Sequence, residues 1–382
     1  MRQSARMFLA YAVGFLSAYF LKNTSLQCFG MNPPVQARVI EKDGRDGCKA
    51  PFSYETHVGA LDVAMLVTEG ALERRAEVVA AINSMNYFKT CNVILHVLID
   101  QKNIPLSPAL FEEFNTIAGF QVQLRVLPPI AESVAAGIKS TFRVKTALVK
   151  ASIEEYLDME RVLFVDFDQL WLSDICRAHQ VFADMRPGQI FALAPEMSSW
   201  YVSRPGTAPT LHDTHPARMG NRNYVGLNSG VIFAHLARAR TAGWTVAWTR
   251  HVEELSASEG NRSVLALGDQ DVYNRMAMVP NQKWIDAIDG SWNVQIMAEM
   301  QCEWVDWDAA MVAHGNSRAF GKKTTPLTDI WAMFTVPGLT KYGVVNLPGY
   351  STKEQCLLRQ LLPYVQQHAR LCPTKNVTAS AA

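Results

Sequence analysis

A doubly wound α/β domain on a mostly parallel sheet is the fold class this sequence predicts, and three observations carry the prediction. Short apolar runs alternate with helically periodic segments between residues 61 and 165. One of those runs, Val162 to Val165, stops abruptly at two acids, Asp166 and Asp168, with Phe167 between them. Further on, polar islands break apolar stretches at residues 228–230 and 268–271. In open sheets of this kind ligands sit at the carboxyl ends of the strands, so polar groups gathered at strand ends point to a site there.

Ahead of that domain, Met7 to Leu21 form an almost unbroken apolar run of 15 residues, preceded by Arg2 and Arg6 and followed by Lys22. Positive charge before the run favours a cytoplasmic N-terminus. The run is short for a membrane span, and a cleaved signal peptide is its rival. Tyr19, Phe20 and Leu21 make a poor cleavage site, and short spans suit the thinner membranes of the early secretory pathway. The reading is therefore a cytoplasmic tail (residues 1–6), a signal-anchor helix (7–21) and a stem (22–57) with Pro33-Pro34, Gly44 and Gly47 and no periodicity. Everything after the anchor is then luminal. Sequons at Asn23, Asn261 and Asn376 agree with that. Seven cysteines permit disulfides there but leave at least one thiol over, and their connectivity cannot be read. A formal net charge of +1 with no basic run argues against nucleic acid as a partner.

The main domain is expected over residues 58–345. Leu61 to Val67 is a buried strand, Thr68-Glu69-Gly70 its turn, and Ala71 to Ser84 a helix. Cys91 to Asp100 is a second strand, Ser107 to Ala118 a helix, and Gln121 to Leu127 a third strand. Ser140 to Leu157 is an amphipathic helix leading into the acidic strand. Neither a Walker glycine loop nor Gly-x-Gly-x-x-Gly occurs, which removes the P-loop and dinucleotide readings.

Two carboxylates one residue apart, directly after a buried strand, make a hard oxygen site for Mn²⁺ or Mg²⁺. An ion held by so few protein ligands completes its shell with water and substrate phosphates. The plainer alternative is a solvated strand-end turn in which Asp168 caps the next element. Arg143 and Lys145, in the first turns of the expected helix, suit either a solvated basic face or a cation beside a sugar phosphate.

In the second half, Gln189 to Ala194 is a strand ending at Pro195-Glu196. Trp200-Tyr201 and His215-Pro216 follow in a polar stretch, where the rings suit a carbohydrate groove or ordinary packing. Tyr224 to Phe233 is an apolar strand interrupted by Asn228-Ser229-Gly230, and glycine there signals close approach of a ligand or another backbone. Gly268-Asp269-Gln270-Asp271 suits a helix start with acids in its first turn. His314 closes a short apolar run and can complete a two-carboxylate site, for which manganese accepts nitrogen more readily than magnesium.

Asp-x-Asp after a strand occurs in two families. Haloacid dehalogenase-like phosphatases place Thr or Val at the fifth position, where this chain has Leu170. Metal-dependent GT-A glycosyltransferases use the acids to hold an ion on a nucleotide-sugar diphosphate. Ala194-Pro-Glu196, Trp200-Tyr201, His215-Pro216, Gly226-Leu-Asn-Ser-Gly-Val231, Arg238-Ala-Arg240, Gly268-Asp-Gln-Asp271 and His314-Gly-Asn316 together resemble glycosyltransferase family 8 in order and spacing. Within it they are most similar to the glucoside xylosyltransferases. The resemblance spans residues 60 to 325, while Pro205 to Asn223 is longer and more irregular than that family suggests. Residues 346–382, a helical tail from Thr352 to Leu371 broken by Pro363, match nothing.

The resemblance implies a GT-A fold whose nucleotide-binding sheet is followed by an acceptor-binding half, in a type II membrane protein of the Golgi or endoplasmic reticulum. It implies retaining transfer of xylose from UDP-xylose to O-linked glucose or xylose on a glycoprotein. Asp166, Asp168 and His314 would hold Mn²⁺, with Mg²⁺ as the alternative. Asn228, Asp269 and Gln270 would surround the donor sugar, the last two nearest the chemistry, and Thr68 and Glu69 would lie near the uridine. Glu196, Ser229, Gly230 and Gly315, within the matched motifs, are expected to line the substrate. No carboxylate nucleophile for double displacement can be assigned; the resemblance implies front-face attack instead, the departing phosphate taking the acceptor proton. UDP-glucose or UDP-galactose as donor, and a catalytically silent sugar-binding homologue, stay as alternatives.

Overall fold

The structure is a computed structural model. It describes residues 59–68, 73–100, 111–117, 119–127, 145–198, 200–203, 215–216, 218–219, 224–258, 265–296, 309–315, 334–335, 339–340 and 343–344. The chain divides into two compact units, Met1–Gly47 and Cys48–Ala382, and every described residue belongs to the second. The expected anchor, stem and C-terminal tail lie outside the described residues, among which no helix is long and apolar enough to cross a membrane.

In chain order the strands are β1 (Leu61–Val67), β2 (Val93–Ile99), β3 (Phe120–Val126), β4 (Val162–Val165), β5 (Gln169–Trp171), β6 (Phe191–Pro195), β7 (Arg218–Met219), β8 (Tyr224–Val225), β9 (Leu227–Ala234), β10 (Ile285–Ala287), β11 (Val294–Gln295), β12 (Val312–His314), β13 (Leu339–Thr340) and β14 (Gly343–Val344). The helices are α1 (Arg75–Phe88), α2 (Ala178–Asp184), α3 (Trp200–Ser203), α4 (Leu236–Ala242), α5 (Trp244–Ser258) and α6 (Asp269–Met276). Seven strands form the main sheet in the order β10-β6-β9-β4-β1-β2-β3. All run parallel except β9, which is antiparallel to both β4 and β6. A small sheet of β11, β12 and β5 packs beside it.

Both faces of the main sheet are covered over β1, β2, β4, β6 and β9, which is why those strands are largely apolar, whereas the edge strand β3 alternates and leaves Leu124 and Val126 exposed. Val63, Met65 and Val67 of β1 join Val78 and Ile82 of α1, together with Trp171, Phe182 and Trp292. Ala64 and Leu66 face the other way, into a core with Leu148, Phe191, Trp244, Trp248 and Tyr273. Cys91 and Cys176 form a disulfide across 85 residues, tying the approach to β2 to the 3₁₀ turn Ile175–Arg177. In a chain-entropy account a loop of that length is worth about 4 kcal/mol.

The helices depart from the sequence pattern. The first runs Arg75–Phe88 rather than from Ala71 to Ser84, because Arg74, with φ −102° and ψ 32°, stands outside helical geometry. Of Ser107 to Ala118, a 3₁₀ stretch Glu112–Thr116 is described. The expected amphipathic helix from Ser140 to Leu157 is instead a kinked 3₁₀ segment, Lys145–Glu155, in its described part. The physical cause is long-range. Tyr273 Oη donates to the Lys150 carbonyl and Trp244 Nε1 to that of Ala151, each at 2.6 Å, taking acceptors that an α-helix would use itself. Ser152 beside them leaves helical geometry (φ −123°, ψ 31°). The apolar run Tyr224 to Phe233 also divides, at Gly226 (φ 119°), into β8 and β9.

Candidate metal and donor-sugar site

The reversed direction of β9 creates the site. Its first residues lie at the same edge of the sheet as the last residues of β4 and β6, since Val165 pairs with Val231 and Pro195 with Leu227. Asp166, just past β4, donates its N–H to the Gly230 carbonyl at 2.9 Å. Asp168 precedes β5, which pairs antiparallel with β12 so that Gln169 faces His314. Gly315 N–H donates to the Asp168 carbonyl at 2.7 Å and locks that register.

Three ligand atoms, one each from Asp166, Asp168 and His314, consequently lie within 4.8 Å of one another. His314 Nε2 is 3.2 Å from Asp168 Oδ1 and 3.6 Å from Asp166 Oδ2. Two carboxylate oxygens and one imidazole nitrogen converging in this way fit a hard divalent ion such as Mn²⁺ or Mg²⁺. Gly230 is what lets the histidine approach. A Cβ there would meet His314 Cε1 at 2.3 Å, so the close neighbour expected at this glycine is a side chain, not a backbone.

Charge is arranged around the triad. Lys150, buried in the 3₁₀ segment, reaches Asp166 Oδ1 at 2.7 Å, Asp269 Oδ2 at 3.4 Å and the Ser229 carbonyl at 3.3 Å. Burial alone would lower its pKa, but Asp166 and Asp269 outweigh it and hold the ammonium above the ordinary lysine range. Burial raises Asp166, with Lys150 and His314 offsetting part of the effect. Asp168 is buried as well, yet His314 and Arg74 hold it well below the usual carboxylate range. Burial lowers His314, and Asp168 and Asp166 more than reverse this. Arg74 donates to Asp168 Oδ2 at 3.1 Å, pairs with Glu77 and lies 4.8 Å over the Phe167 ring.

Beyond Lys150 a buried polar wall continues. Glu196 Oε2 accepts from Asn228 Nδ2 and Gln270 Nε2, each at 2.9 Å, and its Oε1 accepts the Ser198 N–H at 2.9 Å. The Gln270 carbonyl oxygen faces the Ser229 N–H at 3.5 Å. Asp269 Oδ2 is buried without a well-formed hydrogen bond, Lys150 standing nearby. It is an acceptor suited to a hydroxyl donor. Asp271, by contrast, turns away from the triad. It takes the Tyr201 hydroxyl at 2.8 Å and the Leu267 N–H at 2.7 Å, and burial pushes its pKa up to about 6.

Of the residues singled out from sequence, Asp166, Asp168, His314, Asn228, Ser229, Gly230, Gly315, Glu196, Asp269 and Gln270 belong to this one bonded constellation. Thr68 is buried at the end of β1. Glu69, Arg143 and the side chain of Lys145 lie outside the described residues. Tyr201 serves as a hydrogen-bond hub, bonded to Asp271, Gln270 and Asn274. Sequence reasoning missed Lys150, Arg74 and Asn293. Lys150 had left one signal: it is a lone charge inside the apolar stretch Ala147 to Ala151.

The chain matches no protein-family model. It is 23% identical over 298 residues to the Danio rerio xylosyl- and glucuronyltransferase LARGE2s, covering 75% of this chain and 38% of that protein. To human xylosyl- and glucuronyltransferase LARGE2 it is 26% identical over 224 residues, 58% of this chain and 29% of the relative. The chain thus spans well under half the length of these relatives. Its fold is shared with mouse xyloside xylosyltransferase 1 (TM-score 0.53, 16% identity, 68% of this chain and 99% of that one). It is likewise shared with an active-site mutant of LgtC (TM-score 0.50, 15% identity, 72% and 95%).

Proposed function

We propose that this chain is a metal-dependent glycosyltransferase that moves xylose, with retention of anomeric configuration, from UDP-xylose to a glycan on a glycoprotein. The observation that carries the reading is the convergence of Asp166, Asp168 and His314 at the carboxyl edge of the sheet, beside a wall of buried polar side chains. The family 8 resemblance, the xylosyltransferase names of the relatives and the shared fold support it.

Asp166, Asp168 and His314 would hold the ion, Mn²⁺ for preference, which when bound supplies Lewis acidity toward the departing UDP. Lys150 holds Asp166 and Asp269 in place and adds positive charge where a donor's phosphates enter. Asp269, held by Lys150, is placed to orient sugar hydroxyls. Gln270, fixed by Glu196 and Tyr201, borders the reacting carbon. Covalent double displacement needs a free carboxylate at that carbon. Glu196 is engaged by three donors, Asp271 by Tyr201 and Leu267, and Asp269 is paired with Lys150, which favours front-face attack, the leaving phosphate taking the acceptor's proton. A dehalogenase-like phosphatase would leave the Asn228–Gly230 segment and His314 without work. The Cys91–Cys176 disulfide supports a luminal location in the secretory pathway, held there by the residue 7–21 anchor.

The test is UDP release from UDP-xylose, UDP-glucose, UDP-galactose and UDP-glucuronate, with Mn²⁺ and with chelator. Release is expected from UDP-xylose above the others and only with metal. No release from any donor, with or without acceptor glycans, would instead make the chain a silent sugar-binding homologue.

A further inference from the structure

The buried amides behind the metal triad form one directional chain. His314 Nδ1 lies 2.9 Å from Asn293 Oδ1. Asn293 Nδ2 donates to Asn228 Oδ1 at 2.7 Å, and Asn228 Nδ2 to Glu196 Oε2 at 2.9 Å. All four side chains are buried. An isolated amide can be turned either way, so the direction of such a chain must come from groups that have no choice.

Two such groups bracket Asn228. The Gly230 backbone N–H can only donate, and it meets Asn228 Oδ1 at 2.9 Å. Among the described residues the Glu196 carboxylate is faced by donors, Ser198 N–H on one oxygen and the Asn228 and Gln270 amides on the other. Asn228 is therefore fixed with its oxygen toward Asn293. Asn293 must then present its NH₂ to Asn228 and its oxygen to His314. A carbonyl oxygen only accepts, so His314 Nδ1 carries a proton. In the neutral ring the lone pair is left on Nε2, the nitrogen that faces Asp166 and Asp168.

We propose that Asn293 is a positioning residue of the metal site. It fixes the tautomer and orientation of His314 so that Nε2 is presented as a ligand, and takes its own direction through Asn228 from Glu196 and the Gly230 N–H. Asn293 ends the 3₁₀ turn Gly290–Asn293, next to Trp292, which packs on Trp171 and Phe233. Its carbonyl is thus held by a rigid core. The same Glu196 oxygen that directs Asn228 receives Gln270, so the sugar end of the site and the metal end share one anchor. Partners of this kind behind a metal-bound histidine typically contribute 10- to 100-fold in affinity, on the order of what losing Asn293 would remove.

The proposal rests on the metal-dependent reading above, and the experiment separates the two. In the metal-free full chain, ¹⁵N-histidine spectra at a pH high enough to leave the ring neutral report which nitrogen is protonated, His314→Asn assigning the signal. Nδ1–H is expected, and Nε2–H would overturn the proposal, the protonated nitrogen being read on the wild-type chain. Mn²⁺ binding is then followed by electron paramagnetic resonance without nucleotide. Asn293→Leu should bind roughly 10- to 100-fold more weakly than wild type, while Asn293→Asp, which keeps an acceptor for Nδ1–H but loses the donor to Asn228, should bind more tightly than Asn293→Leu. Equal weakening in both variants would show that Asn293 merely fills space. A wild-type chain that binds no Mn²⁺ at all would instead remove the metal-dependent reading.

Discussion

Adding one methyl group at Gly230 should disable the metal site. A Cβ at that position would fall 2.3 Å from His314 Cε1, 2.4 Å from Nδ1 and 3.0 Å from Asn228 Oδ1. Carbon atoms settle at about 3.5–4.0 Å, so the imidazole must retreat by more than about 1 Å. The backbone of Gly230 cannot move instead. Its carbonyl accepts from Asp166 N–H at 2.9 Å and from Gln169 Nε2 at 2.5 Å, inside a strand paired on both sides. Retreat of the ring also strains the bond to Asn293. Overpacking of this size costs about 1–3 kcal/mol of stability, which a chain of this length tolerates. A displacement of about 1 Å at a reacting centre costs about 10²-fold in rate. Gly230→Ala should therefore fold, bind Mn²⁺ more weakly and lose about two orders of magnitude in UDP release. Electron paramagnetic resonance titration, steady-state kinetics and a thermal melt measure the three quantities. A folded variant with wild-type Mn²⁺ affinity and turnover would refute the claim that His314 is seated against Gly230.

Asp168→Asn should abolish most metal-dependent turnover, and Mn²⁺ should restore chelator-treated protein better than Mg²⁺; full activity in excess chelator would refute both. Gln270→Ala should lower turnover by about 10²-fold or less with donor binding little changed, as for one lost oriented dipole. Mass-spectrometric detection of a xylosyl adduct on Asp269, Asp271 or Glu196 would restore the covalent mechanism. Replacing Cys91 and Cys176 together by serine should lower stability in urea by about 4 kcal/mol, and an unchanged midpoint would show the bridge to be absent in solution. Asp271 carries a pH signature. Burial lifts it from an ordinary 3.8 to about 6, so in that interval the folded chain binds more protons than the unfolded chain, and stability falls as pH rises. Compared with Asp271→Asn, which does not titrate, the wild type should lose about 3 kcal/mol of relative stability between pH 3.5 and 7, and a flat difference would contradict the assignment.

The strands were legible because both faces of the sheet are covered. Leu61 to Val67 and Val162 to Val165 have no solvent side to alternate with. The Lys145–Glu155 segment was not, since what breaks its helix arrives from Trp244 and Tyr273, residues with no local signature. Asp166, Asp168 and His314 could be singled out from residue type and strand-end position, and the structure brings their ligand atoms together. Lys150 could not, because its value depends on Asp269, 119 positions later, being brought to the same edge. Asn293 was invisible for a similar reason. An asparagine beside a tryptophan carries no sign of which carbonyl or imidazole it will face.

One reversed strand accounts for why so much of the site comes from residues 228–230. In a wholly parallel sheet the starts of strands lie at the edge opposite the carboxyl ends, and a polar island opening a strand would stand far from Asp166. Because β9 is inverted, its opening residues are delivered to that edge instead, while its far end, Ala234, pairs with the starts of β4 and β6. The island must then meet three demands at once. Asn228 has to accept from Gly230 and Asn293 while donating to Glu196. Ser229 has to offer its carbonyl to Lys150. Gly230 has to leave room for an imidazole that comes from another sheet. Bulk at any of the three would displace either the lysine that neutralises Asp166 or the histidine that completes the triad. That is the physical reason a strand buried along all of its length carries Asn228, Ser229 and Gly230 directly after Leu227, where an apolar run would otherwise continue.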